Sequence, residues 1–339
     1  MTAMRTGKLR YGWRAACLLL PLAAGVLALG IGRIAFSPTQ VLQAIGQALT
    51  GAADMTALIH RTLWRLRLPR ILLAALTGAG LSAAGCAFQS LFANPLATPD
   101  TLGVASGASF GAALGLLLGL DILGIQCSAL VMGGAAVALT WLAGTGPHRG
   151  RSTIVLSGIM MGSVFNALVS LVKFAADEES QLPAITYWLM GGLQNASYRT
   201  LLLGAPLIVT GVAVLWLLRW RMNLLPLSDD EARASGVSIT RLRAVVVVCA
   251  TMITAACVAM CGQVGWVGLL VPHMCRMKFG SNHLALLPVS ISTGAAFLIA
   301  VDTAARSISA QEIPISILTA LLGAPFFIAL MRRKGGWSL

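Results

Sequence analysis

The chain has 339 residues, of which 57% are hydrophobic and 10% charged, with a mean hydropathy of +0.84 and a formal net charge of +13. A soluble domain carries roughly 25% charged residues, so the composition excludes a water-soluble enzyme or nucleic-acid-binding domain and defines an all-α polytopic membrane protein. The seven cysteines are scattered through apolar runs without metal-ligand spacing and read as buried free thiols.

The N-terminus carries Arg5, Lys8, Arg10 and Arg14 before an apolar run and is read as an uncleaved first span. Apolar runs near the ~20 residues needed to cross a bilayer then recur along the whole length. They predict ten spans, at about 14–34, 70–91, 101–120, 124–143, 153–175, 199–218, 244–262, 263–278, 286–304 and 315–331, in a single transmembrane domain covering 1–339. Before the second span, Arg61, Arg65, Arg67 and Arg70 crowd the stretch HRTLWRLRLPR. Read functionally they form a rim that meets carboxylates on a partner or an anionic solute; read blandly they meet lipid headgroups. Between the second and third spans, Asn94-Pro95 breaks a helix, and Thr98, Pro99 and Asp100 supply a cap, a first-position proline and an acid for a new start. Irregular backbone there must be buried in protein or line a cavity.

Gly103, Gly107, Gly111, Gly115 and Gly119 recur every four residues, and Gly158 and Gly162 repeat the pattern once. On a helix this makes a bare stripe for close packing against a neighbour. The stretch DEESQLPAITYWLMGGLQNASY predicts an amphipathic surface helix with Tyr187 and Trp188 at the interfacial belt. Pro272 and Pro325 predict kinks or breaks in the eighth and tenth spans.

The longest polar interruption, 219–243, organises the chain. Ser228 and Glu231 form a capping box, Asp229 and Asp230 lie in the first turn where the helix dipole favours acids, and Gly236 suits the left-handed end. A short helix followed by a second start at Ser238 reads as a handle for a partner, or equally as a solvated loop.

Ten spans put both termini on one side. That side receives sixteen Lys and Arg residues, including the five arginines of 219–243, and the other receives eight. Basic residues gather on the cytoplasmic side, so the termini and the handle are expected there. No GxxxxGK[ST], GxSxG, HExxH or CxxC occurs, and His60, His148, His273 and His283 are far apart, so no catalytic residue, cofactor or metal site is expected in this chain. Asp302 and Asp121 are the acids nearest to span interiors. Ion-driven carriers usually keep ionisable groups at mid-membrane, so an external energy source is favoured.

The run RLPRILLAALTGAGLSAAGCAFQSLFANPLATPDTLGVASGASFGA resembles the signature region of the FecCD family, the membrane permeases of ABC importers for iron–siderophores, haem and cobalamin. The closing run LLPVSISTGAAFLIAVDTAARSISAQEIPISILTALLGAPFFIALMRR resembles that family's closing pattern, and the resemblance covers about residues 65–335. It implies the type II importer permease fold in a bacterial cytoplasmic membrane, with a second permease copy, surrounding membrane lipid and no nucleic-acid partner. It also implies two cytoplasmic ATPases, which bind the ATP and magnesium, and an extracytoplasmic solute-binding protein. A ferric siderophore is the leading cargo, haem or cobalamin the alternative, and an ion-gradient-driven carrier the reading from another class. Ser228, Asp229, Asp230, Glu231, Ala232, Arg233, Gly236 and Val237 match the family's coupling segment, with Ser235 where leucine is usual. Arg67, Arg70 and Arg306 match the arginines that face the binding protein's glutamates. Asn94, Pro95 and Leu96 match the cytoplasmic gate, facing Ser152 and Thr153; Ala93 stands where arginine usually precedes Asn-Pro. The fifth and tenth spans are expected to line the path down the dimer axis.

Overall fold

The structure is a computed structural model. It describes all residues except 1–3, 6–7, 10, 52–53, 55–56, 145–150, 229–230, 232–233, 310 and 334–339. Twelve helices are used below: α1 Tyr11–Gly30, α2 Pro38–Leu49, α3 Leu58–Leu91, α4 Val104–Leu117, α5 Ile122–Gly144 and α6 Arg151–Ala175. They are followed by α7 Gln181–Leu189, α8 Tyr198–Leu218, α9 Ile239–Cys261, α10 Val267–Phe279, α11 His283–Ile308 and α12 Ile315–Arg333. Two short 3-10 turns, Pro99–Leu102 and Arg221–Leu224, and a two-residue antiparallel hairpin, Met4–Arg5 with Lys8–Leu9, complete the described elements.

Seven helices are long and apolar enough to cross a membrane (α1, α3, α5, α6, α8, α9 and α11). With the shorter apolar helices α4 and α12, and the 13-residue α10 that carries His273, Arg276 and Lys278, they correspond to the ten predicted spans. Two helices stand outside that set. The predicted surface helix is α7. The other, α2, is not anticipated, although Ser37 and Gln40 form a reciprocal capping box around Pro38.

α3 is the axis of the bundle, with α1, α8, α9, α10 and α11 packed around it. It is 34 residues long and begins at Leu58, twelve residues before the predicted start. The arginine-rich stretch Arg61–Arg67 is therefore helical, wound with wider i→i+5 hydrogen bonds such as Leu68 N–H to the Leu63 carbonyl. The α3–α11 crossing is bare: a Cβ on Gly78 would lie 2.2 Å from the Gly294 carbonyl oxygen. The glycine ladder serves the α4–α5 pair, since Cβ atoms on Gly107 and Gly111 would meet the Met132 and Ser128 carbonyls at 2.6 and 2.3 Å. Dispersion contacts and close backbone approach hold such crossings where lipid removes the hydrophobic drive. Pro272 and Pro325 sit inside α10 and α12, which continue through them.

Five cysteines (86, 249, 257, 261 and 275) are buried and all seven are unbridged, while Cys127 is exposed rather than buried as predicted. No group of three or more metal-binding side chains occurs among the described residues.

Candidate functional site

The predicted functional residues fall at two opposite ends of the bundle and along the helices between them. At one end, α3 carries Arg67 and Arg70 against the C-terminal turns of α1 and α11. Arg70 donates from Nε to both Asp302 carboxylate oxygens at 2.8 and 3.0 Å, and from Nη1 to both Glu312 oxygens at 3.0 and 2.8 Å. Arg306 Nε lies 3.7 Å from Asp302 Oδ2, and its Nη2 donates to the Ala28 carbonyl. Arg67 donates to the carbonyls of Leu29 and Ile34 and stacks its guanidinium 5.0 Å from the Phe36 ring. Two acids thus meet two of the cations, and carbonyls at the end of α1 take the rest.

The three arginines are drawn into the fold rather than spread on its surface. Arg67 and Arg306 are 6% and 7% exposed, and the Arg70 side chain 12%. A buried guanidinium needs acceptors around it, and this chain supplies them from its own acids and carbonyls. The exposed arginines of the stretch are Arg61 and Arg65. Asp302, expected only as one of the acids nearest to span interiors, is the centre of the network, 232 residues from Arg70 in sequence.

At the opposite end the Ser228 turn is exposed. The Ser228 amide and hydroxyl donate to Glu231 Oε2 at 3.0 and 2.8 Å, and the Glu231 amide returns to Ser228 Oγ at 3.4 Å. These bonds from Ser228 hold the Glu231 carboxyl below the usual glutamate pKa. Gly236 adopts φ +70° and ends the turn as predicted, and Val237 is half-buried against the main core. Asp229, Asp230, Ala232 and Arg233 lie outside the described residues. Ser238 stands at the N-terminus of α9 without a side-chain cap bond. Above the turn, Asn223 ties the α8–α9 connection to α11 by accepting from the His283 amide at 2.9 Å and donating to Asn282 Oδ1 at 3.3 Å.

Between the ends, the 92–103 connection turns back into the bundle. The Asn94 side chain accepts from the Leu96 amide at 2.9 Å, closing the turn with Leu96 exposed. Thr98, Pro99 and Asp100 line a cavity of about 290 Å³ with Thr254, Gln263 and Trp266, so the irregular backbone lines a cavity. Gly158 of α6 packs on this segment, where a Cβ would lie 2.0 Å from the Thr101 carbonyl. Ser152 is exposed and Thr153 half-buried, one and a half turns before that contact.

Trp266 is a feature that spacing did not reveal. It has φ +68°, a region bulky L-residues seldom enter, between α9 and α10. Its indole fills the space beside Gly323 of α12, where a Cβ would come within 2.3 Å of the ring, and lies 6.1 Å from Phe327. The bulky ring thereby joins α10 to a helix with few other attachments.

Seven helices long and apolar enough to cross a membrane, shorter helices packed among them and a cavity bounded by irregular backbone define a multi-pass membrane protein. A family model described as the FecCD transport family matches residues 19–333. The chain belongs to that family. The molybdate import system permease protein MolB of Haemophilus influenzae is 39% identical over 321 residues, 94% of this chain and 95% of that protein. The Fe(3+) dicitrate transport system permease protein FecC of Escherichia coli is 34% identical over 341 residues, 99% and 100% of the two chains. A solved structure described as an inward-facing conformation of a metal-chelate type ABC transporter superposes with a TM-score of 0.87 at 37% identity, over 96% of this chain and 100% of that one. The chain is an ABC importer permease, and its relatives are transport subunits.

Proposed function

We propose that the chain is the membrane half of an ATP-driven importer of bulky metal chelates, assembled as a homodimer in a bacterial cytoplasmic membrane. The observation that carries this reading is the Ser228–Glu231 turn. It is a self-capped, water-exposed element at the end opposite the Arg70 network, on the connection that leads straight into α9. An ATPase that binds and hydrolyses ATP with magnesium grips this turn, and its closure moves α9 and the helices packed on it.

The opposite end faces out and receives the solute-binding protein. Arg67, Arg70 and Arg306 act there from inside the fold. A partner carboxylate reaches Arg70 by taking the place of Glu312, whose side chain is 25% exposed against 2% for Asp302. The path runs along α6 and α12. Ser152, Ser163, Asn166 and Ser170 of α6 are exposed on one stripe, and Ile159 and Phe174 beside them are 58% and 87% exposed. Hydroxyls and amides without charge suit a cargo that must slide without sticking. Asn94, Pro95 and Leu96 form the inner gate, with Ser152 and Thr153 opposite.

Ferric siderophore is the leading cargo. The MolB likeness, spanning 95% of that protein, favours a second reading in which the cargo is an oxyanion such as molybdate. Reconstitution with an ATPase and a binding protein tests both. ATP-dependent uptake of a ferric chelate supports the first reading, and ATP-dependent molybdate uptake without chelate uptake replaces it with the second. Glu231→Lys is expected to leave the protein folded and abolish coupled uptake. Uptake driven by an ion gradient without ATP would overturn the importer reading.

A further inference from the structure

On the face of the bundle between α5 and α9 runs an open groove of about 700 Å³ whose lining is almost wholly apolar. One wall is an α5 stripe that includes Gly134 and Trp141; the other is an α9 stripe through Ala244, Val248, Met252 and Ala255. A Cβ on Gly134 would meet nothing within 4 Å, so that residue leaves a notch in the wall. From Ala244 to Ala255 the helix rises about 16 Å at 1.5 Å per residue. That is half of the ~30 Å hydrocarbon core. The groove therefore spans one leaflet rather than the whole bilayer.

One end of the groove is apolar and the other is marked by charge. Arg241 precedes Ala244 by three residues and Val248 by seven, so it continues the same helical stripe, and it is exposed. Helical side chains lean toward the N-terminus, which here carries the guanidinium away from the bilayer centre to headgroup depth. Trp141 is 42% exposed at the same end, where an indole suits the interface. Arg221, exposed on the α8–α9 connection, adds to the positive surface.

We propose that this groove is a binding site for one anionic phospholipid, with an acyl chain between α5 and α9 and the headgroup on Arg241. Apolar length matching one leaflet, a notch for the chain and a cation at headgroup depth select this occupant over a partner helix, which would need the full bilayer span.

The test is native mass spectrometry of the purified protein exchanged into detergent containing phosphatidylglycerol and phosphatidylethanolamine. The wild type is expected to retain one phosphatidylglycerol per chain in preference to phosphatidylethanolamine. Arg241→Gln is expected to cut that preference about fivefold, the worth of one basic residue near an anionic surface. Gly134→Leu, which has room for its side chain, is expected to remove the retained lipid of either type. Val248→Trp fills the groove from the other wall and is expected to act alike. Equal retention of the two lipids by the wild type, or a preference unchanged in Arg241→Gln, would overturn the proposal. So would lipid retention unchanged in both groove-filling variants, including the case where they alter oligomeric state instead.

Discussion

The two ends of the bundle are built on opposite principles. At the Arg70 end, charges are buried and paired across three parts of the chain that are distant in sequence. At the Ser228 end, a polar turn is exposed and is closed by residues three apart. A buried network resists change, because breaking one pair strands its partner away from water. A self-capped turn is closed by local bonds, so a change in it strands no distant partner. The first is suited to holding helices in register and the second to being pushed.

Mutations can break that contrast. The largest effect is expected at Asp302→Ala, which leaves Arg70 and Arg306 without their shared buried acid and should cost about 3–5 kcal/mol. The measurement is thermal unfolding in detergent, and a loss near zero would mean that the network is not structural. Gly78→Val pushes a side chain into the Gly294 backbone. Overpacking of that kind costs about 1–3 kcal/mol, again read as a lowered melting temperature. Glu312→Gln tests the partly exposed arm of the same arginine. Arg70 keeps its Asp302 pair in this variant, so stability should fall less than in Asp302→Ala while affinity for a binding protein changes.

The smallest stability effect belongs to the capped turn, where pH sharpens the comparison. Glu231 is fully exposed and its carboxyl pKa is lowered by Ser228. A lowered acid pKa means the cap is present above the unfolded-state value and is lost as pH falls through the folded value, below the ordinary 4.5. Carboxyl NMR should show Glu231 titrating below the ordinary 4.5. Ser228→Ala should return it toward the ordinary 4.5 and lower the melting temperature less than any variant above. A Glu231 titration indifferent to Ser228→Ala would remove the capping explanation.

Much of the architecture was legible because single-helix signals are local. Apolar length marked the ten spans, and Ser228 with Glu231, Gly236 and the 181–189 amphipathic stretch are signals of a few residues. What failed was long-range. Arg61–Arg67 falls before the predicted second span because charge is costly in a span, yet the helix runs through it, with the Leu29 and Ile34 carbonyls accepting from Arg67 and Asp302 accepting from Arg70 just beyond. Nothing within a short window links position 70 to 302. Ser37, Pro38 and Gln40 spell the α2 start, but a twelve-residue amphipathic helix lacks the apolar length that marks a span. Trp266 was invisible for another reason: positive φ at a bulky residue is imposed by its seat on Gly323, not by its neighbours in sequence.

The separation of Arg70 from Asp302 has a consequence for biogenesis. A ribosome adding about 5–20 residues per second needs roughly 10–50 seconds to make the stretch between them. For that interval the nascent second span waits at the membrane with a cation whose acid has not been made. A chain truncated before α11 should therefore insert poorly or be degraded, and maturation would be complete only when the ninth membrane helix arrives.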